Sequence, residues 1–208
     1  MNGNLITFEG IDFCGKSVQI QKLVTRLKKE NTNFHLIREP GGTIIAEKIR
    51  DALLAIEDET MSPLSEYLLY SAARAQVVKE KILPPLKQGS LVICDRFYDS
   101  STAYQGYGRK IDLELIHKIN HVATQGLKPH LTFFLDIDLD EMERRKRAVQ
   151  GKLDRMEREA KTFFENVRNG YLEIIKHEPE RFYVIDGSST IASIADEIWK
   201  QVIARLGK

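Results

Sequence analysis

Residues 10–17 read GIDFCGKS, with Lys16 and Ser17 directly after the second glycine. The spacing G-x-x-x-x-G-K-[ST] is that of a loop that wraps phosphate groups. Glycine at positions 10 and 15 lets the backbone turn tightly and come close to phosphate oxygens. The N–H groups of Ile11, Asp12, Phe13 and Cys14 can then form a positive nest at the start of a helix. Lys16 adds a compact cation for β- and γ-phosphates, and the Ser17 hydroxyl can ligate Mg²⁺. The run LVICD at 91–95 ends in Asp95, a carboxylate that suits a place beside the same ion, the alternative being a helix cap or salt bridge. Cys14 sits where a helix N-terminus can lower a thiol pKa, but reads more simply as a small loop filler. These residues imply a nucleoside triphosphate. They do not decide between a kinase, a switch and a motor.

Further residues narrow the choice. No N-K-x-D segment for reading guanine is present, and the chain is short for a motor or transporter ATPase. Instead arginines recur near the ends of apolar runs: Arg38 in IREPGGT, Arg74 in LLYSAARAQ and Arg96 in DRFYDSSTAYQG. Arginines so placed suit bidentate grip of a second phosphorylated substrate opposite ATP. The stretch EMERRKRAVQGKLDRMER (141–158) gathers basic groups around Gln150-Gly151. Either it is a solvated charged helix face, or it is a mobile lid, about 143–157, whose arginines close over the transferring group and exclude water.

These groups need a scaffold. Five apolar runs rich in branched and aromatic residues predict strands: LITFE (5–9), FHLIR (34–38), LVICD (91–95), LTFFLD (131–136) and FYVID (182–186). None alternates strictly with polar residues, so each is expected to be covered on both faces. Helical patterns fall between them, at 17–29, 62–86, 113–124, 139–149, 159–177 and 190–206. Strand and helix in alternation predict one α/β domain over 1–208, a parallel sheet with helices on both faces. Ligands in such a fold lie at the carboxyl ends of the strands, hence just after Glu9, Arg38, Asp95 and Asp136.

Composition sets limits. With 208 residues, 42% hydrophobic, the chain can bury a sizeable core. Its 31 basic and 30 acidic residues give a net charge of +1, no basis for a nucleic acid or a membrane as main partner. No apolar run reaches the length of a bilayer span. MNGNLITFEG lacks the pattern of a signal peptide, and two cysteines make no disulfide framework or zinc spacing. A cytoplasmic protein with reduced thiols is expected.

Taken in order, FEGIDFCGKS, IREPGGT, EYLLYSAARAQ, DRFYDSSTAYQG, ATQGLKPHLTFFLDI, GKLDRME and FFENVRNGYLEI resemble thymidylate kinases along nearly the whole chain. IREPGGT and DRF-x-x-S-x-x-AYQ are the specific parts. The resemblance implies a P-loop NTPase-type three-layer sandwich with a five-stranded parallel sheet and a short lid. It also implies a homodimer, Mg²⁺-ATP as donor, and dTMP + ATP giving dTDP + ADP. Matched residue by residue, Gly10–Ser17 would hold ATP, with Lys16 and Asp12 in the chemistry and Ser17 and Asp95 at the metal. Glu39 to Gly42 would line the monophosphate side, with Arg38 beside them. Tyr70 would stack on thymine where the family usually has phenylalanine, and Arg74 would touch base or phosphate. Arg96 would meet the acceptor phosphate, and Ser100, Ser101, Tyr104 and Gln105 would read the base and pack on deoxyribose. Phe13 stands where some members place a loop arginine. The resemblance is therefore to the subclass whose lid supplies that arginine, with Arg147 the leading candidate and Lys152 and Arg155 next. Gln150 stands where a basic lid residue can occur, and His130 and Phe97 are further departures that leave the core chemistry untouched. The nearest rival activities are phosphorylation of another nucleoside monophosphate, phosphorylation of a deoxynucleoside with Glu9 or Asp12 as base, and a nucleotide-dependent switch.

Overall fold

The computed structural model describes residues 3–55, 61–149 and 153–206. The five apolar runs are strands at the expected positions: β1 (Leu5–Glu9), β2 (Phe34–Arg38), β3 (Leu91–Asp95), β4 (Leu131–Asp136) and β5 (Phe182–Asp186). They pair in parallel in the order β2-β3-β1-β4-β5. Between and after them run α1 (Lys16–Lys29), α2 (Ile44–Leu54), α3 (Pro63–Val77), α4 (Leu83–Lys87), α5 (Tyr98–Ser101), α6 (Leu113–Thr124), α7 (Leu139–Ala148), α8 (Lys161–His177) and α9 (Ile191–Leu206).

Strand alternation divides the core between the two faces of the sheet. Ile6, Leu91 and Ile93 join one buried apolar cluster, while their neighbours Leu5, Val92 and Cys94 join the other. On one side α1 packs with α9, and elsewhere α2, α3 and α6 pack side by side. The inner strands β1, β3 and β4 are buried almost throughout, but β2 and β5 leave several positions open. Coverage on both faces therefore holds for the inner strands only. An edge strand has one sheet neighbour, and its outer flank meets water.

Two helical expectations change. The pattern 62–86 is not one helix: α3 widens into a π-type turn at Val78–Ile82 and resumes as α4. Pro84 and Pro85 follow that turn, and neither has an N–H to give to an α-helical ladder. Helix α2 was not expected. It starts at Thr43, whose Oγ1 accepts from the Ala46 N–H at 3.1 Å. Gln150 and Lys152 lie outside the described residues, so the lid is described at 143–149 and 153–157. Among the described residues no helix is long and apolar enough to cross a membrane.

The chain winds from β1 out to β2, returns through β3, and then crosses to β4 and β5 on the other side of β1. That reversal opens a crevice at the carboxyl ends of β1 and β3.

Candidate active site

The crevice is a cleft of about 570 Å³, within the usual range for a small-molecule site. Its floor is the loop between β1 and α1. Gly10 sits at φ 142°, and a Cβ there would stand 2.6 Å from the Leu135 carbonyl and 2.7 Å from Cys14 Sγ. Glycine is thus required by both backbone angle and space. Phe13 also takes a left-handed conformation, at φ 64°, a strained choice for a bulky residue. Lys16 is buried, with Nζ donating to the carbonyls of Gly10 and Ile11 at 3.0 Å each. The loop therefore encloses the ammonium it would present to phosphate. Cys14 is buried, 3.5 Å from Lys16 Nζ, in keeping with a filler.

Next to the loop stands the turn after β3. Arg96, at φ 69°, donates through Nη2 to Asp12 Oδ1 at 2.6 Å and through Nη1 to the Gly10 carbonyl at 3.1 Å and Ser100 Oγ at 3.0 Å. Tyr104 closes the cluster, its hydroxyl donating to Asp12 Oδ2 at 2.9 Å and its ring lying 5.0 Å from the guanidinium. Burial would raise the Asp12 pKa, but Arg96, then Lys16 and these hydrogen bonds, outweigh it and hold the carboxyl below its usual value.

Behind this turn lies Glu9, fully buried. It accepts from the Phe97 N–H at 2.7 Å, Ser100 Oγ at 2.6 Å and the Tyr171 hydroxyl at 2.7 Å. Burial, reinforced by Asp99, pushes its pKa up to about 7 against the pull of Arg96 and the two hydroxyls. Glu9 holds the turn and does not border the cleft. From sequence, Glu9 marks a strand end where ligands gather and is a candidate base for a deoxynucleoside; burial behind the turn fits neither role.

The far wall comes from α3 and β2. Arg74 is 2% exposed and spans three partners: Nε to Glu39 Oε2 at 2.7 Å, Nη1 to Ser101 Oγ at 2.9 Å and Nη2 to the Phe97 carbonyl at 3.1 Å. Burial raises the Glu39 pKa despite that arginine. Tyr70 borders the cleft one helical turn before Arg74. Arg38 pairs with Glu47 and donates to the Pro40 carbonyl, which also accepts from Arg50 Nη1 at 3.1 Å.

Of the expected residues, Asp12, Phe13, Gly15, Lys16, Ser17, Arg38, Glu39, Tyr70, Arg74, Asp95, Arg96, Ser100, Ser101, Tyr104 and Gln105 all border this one cleft. Gly10, Ile11 and Cys14 shape the loop beneath it. Arg147 is not brought in: it lies exposed on α7. Its neighbour Arg145 takes the inward position instead. Arg145 Nη1 donates to the carbonyls of Phe13 and Cys14 at 3.3 and 3.1 Å, and Nη2 to that of Gly187 at 2.7 Å. Helix phase could have found it, since Arg145 follows the buried Met142 by three positions and faces the same way. Arg50 was missed with its helix, where it follows the buried Ala46 by four positions. Arg155, from the lid segment, donates to the Leu53 carbonyl at 2.8 Å and lies 2.6 Å from Glu66.

The residues present fit Mg²⁺. Ser17 and Asp95 put a hydroxyl and a carboxylate on the same cleft, and no closed cage of three or more acidic, histidine or cysteine side chains exists among the described residues. Mg²⁺ is held in just that manner, by one or two protein oxygens with substrate phosphates and water.

Comparison with known proteins places this geometry. The family model described as thymidylate kinase matches residues 8–198. The thymidylate kinase of Caldanaerobacter subterraneus subsp. tengcongensis is 46% identical over 202 residues, covering 97% of this chain and 96% of that one. The thymidylate kinase of Chlorobium luteolum is 48% identical over 198 residues, covering 91% and 92%. The crystal structure of thymidylate kinase from Ehrlichia chaffeensis superposes with a TM-score of 0.78 at 34% identity, covering 97% of this chain and 99% of that one. Sequence and fold are thus matched over nearly the full length, and the chain belongs to the thymidylate kinase family.

Proposed function

We propose that this protein transfers the γ-phosphoryl group of ATP to dTMP, giving dTDP and ADP. The observation that carries the reading is the pair Arg96–Asp12, which fastens the arginine-lined acceptor side to the phosphate loop at 2.6 Å. Donor and acceptor phosphates entering the cleft from its two ends would meet there, between Lys16 and Arg96.

The attacking oxygen of a monophosphate is already anionic, so little base catalysis is needed. Alignment and charge neutralisation carry the step. Lys16 would meet the β- and γ-phosphates. Arg96, Arg38, Arg50 and Arg74 would steer the acceptor, with Arg74 acting through Glu39 and Ser101. Tyr70 would cover the base, and Tyr104 would pack at the sugar. Arg145 takes the place first given to Arg147, at the junction of the loop and the β5 end. Ser17 and Asp95 would hold Mg²⁺, which when bound would help to neutralise charge on the phosphates. The chain would act as one domain with a lid over about 143–157, as a homodimer. Cytoplasmic action suits the two buried free thiols.

The test is ADP release from Mg²⁺-ATP with dTMP, dUMP, UMP, CMP, AMP, GMP or thymidine supplied singly, and a Lys16→Ala preparation as background. Strong stimulation by dTMP with little from the ribonucleotides or thymidine is expected. Stimulation by another monophosphate instead would overturn the base assignment, and no stimulation by any acceptor would overturn the kinase reading.

A further inference from the structure

Glu66 lies on α3 one turn before Tyr70, is 1% exposed, and has no part in the chemistry above. Four nitrogens of three side chains converge on it. Gln105 Nε2 donates to Oε1 at 2.9 Å, Arg109 Nε to Oε1 at 3.1 Å, Arg109 Nη2 to Oε2 at 3.0 Å, and Arg155 Nη1 lies 2.6 Å from Oε2. Burial would raise the Glu66 pKa, but hydrogen bonds from Arg109 and Gln105 and the charges of Arg109 and Arg155 leave it lowered. The group is a buried, ionised acceptor.

Such a carboxylate has no proton to donate. The only amide atom of Gln105 that can face it is the nitrogen. Gln105 is itself 2% exposed and borders the cleft beside Tyr104. With an N–H committed to Glu66, its carbonyl oxygen is the acceptor it can offer a ligand. Thymine presents an N3–H between two carbonyls, which that oxygen can pair. Cytosine presents a bare N3 acceptor beside an amino donor, and would face oxygen with lone pair. Turning the amide over would reverse the preference, and Glu66 opposes the turn.

We infer that Glu66 is a positioning residue for nucleobase choice: it locks the Gln105 amide so that the cleft selects a pyrimidine carrying N3–H over cytosine. The inference rests on the dTMP reading and deepens it. Because Arg155 belongs to the lid segment and Arg109 also binds Glu159 at 2.5 Å, one carboxylate ties the base-facing amide to the segment that would close above it.

The experiment compares kcat and KM for dTMP and dCMP in the parent and in Glu66→Gln. A glutamine at position 66 can face the Gln105 amide either way round. The ratio of kcat/KM for dTMP over dCMP should fall at least about tenfold, chiefly through KM, as buried donor and acceptor mismatches become avoidable. A parallel loss on both substrates with the ratio intact would mean that Glu66 only supports the fold, and would overturn the inference. Should Glu66→Gln not fold, the parent labelled with ¹⁵N-glutamine decides. One Gln105 Nε2 proton should be shifted downfield and slow to exchange, whereas two protons with the shifts and exchange rates of a solvent-exposed glutamine would refute the lock. A parent that turns over no dTMP would remove the reading beneath the inference, while an active parent with an unchanged ratio sinks the inference alone.

Discussion

Arg96 Nη2 stands 2.6 Å from Asp12 Oδ1, joining the turn after β3 to the phosphate loop after β1. Both side chains are about one-fifth exposed, so the pair borders the cleft while the Gly10 carbonyl, Ser100 and Tyr104 fix the guanidinium. One planar group reaches four partners in two directions, which a single ammonium cannot do. Arg96→Lys should therefore lower kcat/KM for dTMP by about 10²-fold, the usual penalty for slight misplacement of a reacting group. Steady-state kinetics would show it, and near-normal turnover would remove Arg96 from the acceptor site.

Arg145 and Arg147 are two positions apart on α7 and should behave differently. Arg145→Ala loses three carbonyl contacts that join the phosphate loop to Gly187, and should raise the KM for ATP about tenfold or more. Arg147→Ala, exposed, should change it little. Titrating ATP at saturating dTMP compares them. A larger defect in Arg147→Ala would restore the original assignment of the lid arginine.

Arg74 and Glu39 form an ion pair with side chains 2% and 3% exposed. Removing one partner leaves the other charge buried and alone. Arg74→Met should cost about 3–5 kcal/mol in urea unfolding, as well as dTMP binding. A loss under about 1 kcal/mol would show that water or rearrangement readily replaces the pair.

Glu9 titrates against the fold. Its pKa is pushed from 4.5 to about 7 by burial and then by Asp99, so the native state holds the proton more firmly than the unfolded chain. The stability this contributes is complete below 4.5 and is lost as pH rises through about 7. Arg96, Ser100 and Tyr171 face the same carboxyl and reduce the effect without reversing it. Glu9→Gln cannot ionise there. Between about pH 5 and pH 8 its unfolding free energy should fall less steeply than the parent's. Identical slopes in stepwise urea titrations would place the Glu9 pKa near its ordinary value.

Helices α2, α3 and α6 leave Ile44, Ile45, Leu64, Leu68, Leu115 and Val122 exposed although they pack side by side. On α3 the two leucines are four residues apart and share a face. Exposed apolar residues on three neighbouring helices would suit an association surface, and the proposed homodimer would cover them. Light scattering should give the mass of two chains, and Leu68→Glu should move it toward one. A parent with the mass of one chain at micromolar concentration would argue against the dimer.

Local rules determined much of this protein. The five strands fall where apolar runs of the right length stand between turn residues, because a strand inside a covered sheet needs little beyond continuous apolar side chains. The loop at 10–17 is equally local: its glycines, lysine and serine act through their own backbone and side chains, so their spacing alone carries the chemistry. Most expected residues of the acceptor side also meet in one cleft; Arg38, Arg74 and Arg96 stand out by their places near the ends of apolar runs, whereas Tyr70, Ser100, Ser101, Tyr104 and Gln105 are legible only through the family resemblance.

What the sequence could not decide depends on partners far away along the chain. The choice of Arg145 over Arg147 rests on which flank of α7 meets the carbonyls of Phe13, Cys14 and Gly187. The pKa of Glu9 depends on burial against Asp99, Ser100 and Tyr171, up to 162 positions distant. The side chains that meet Glu66 of α3 come from the turn after α5 and from the lid segment. Burial and charge pairing are properties of three-dimensional neighbourhood, set by how helices cross the sheet, and so only the tertiary structure decided which carboxylates stay ionised and which arginines reach the site.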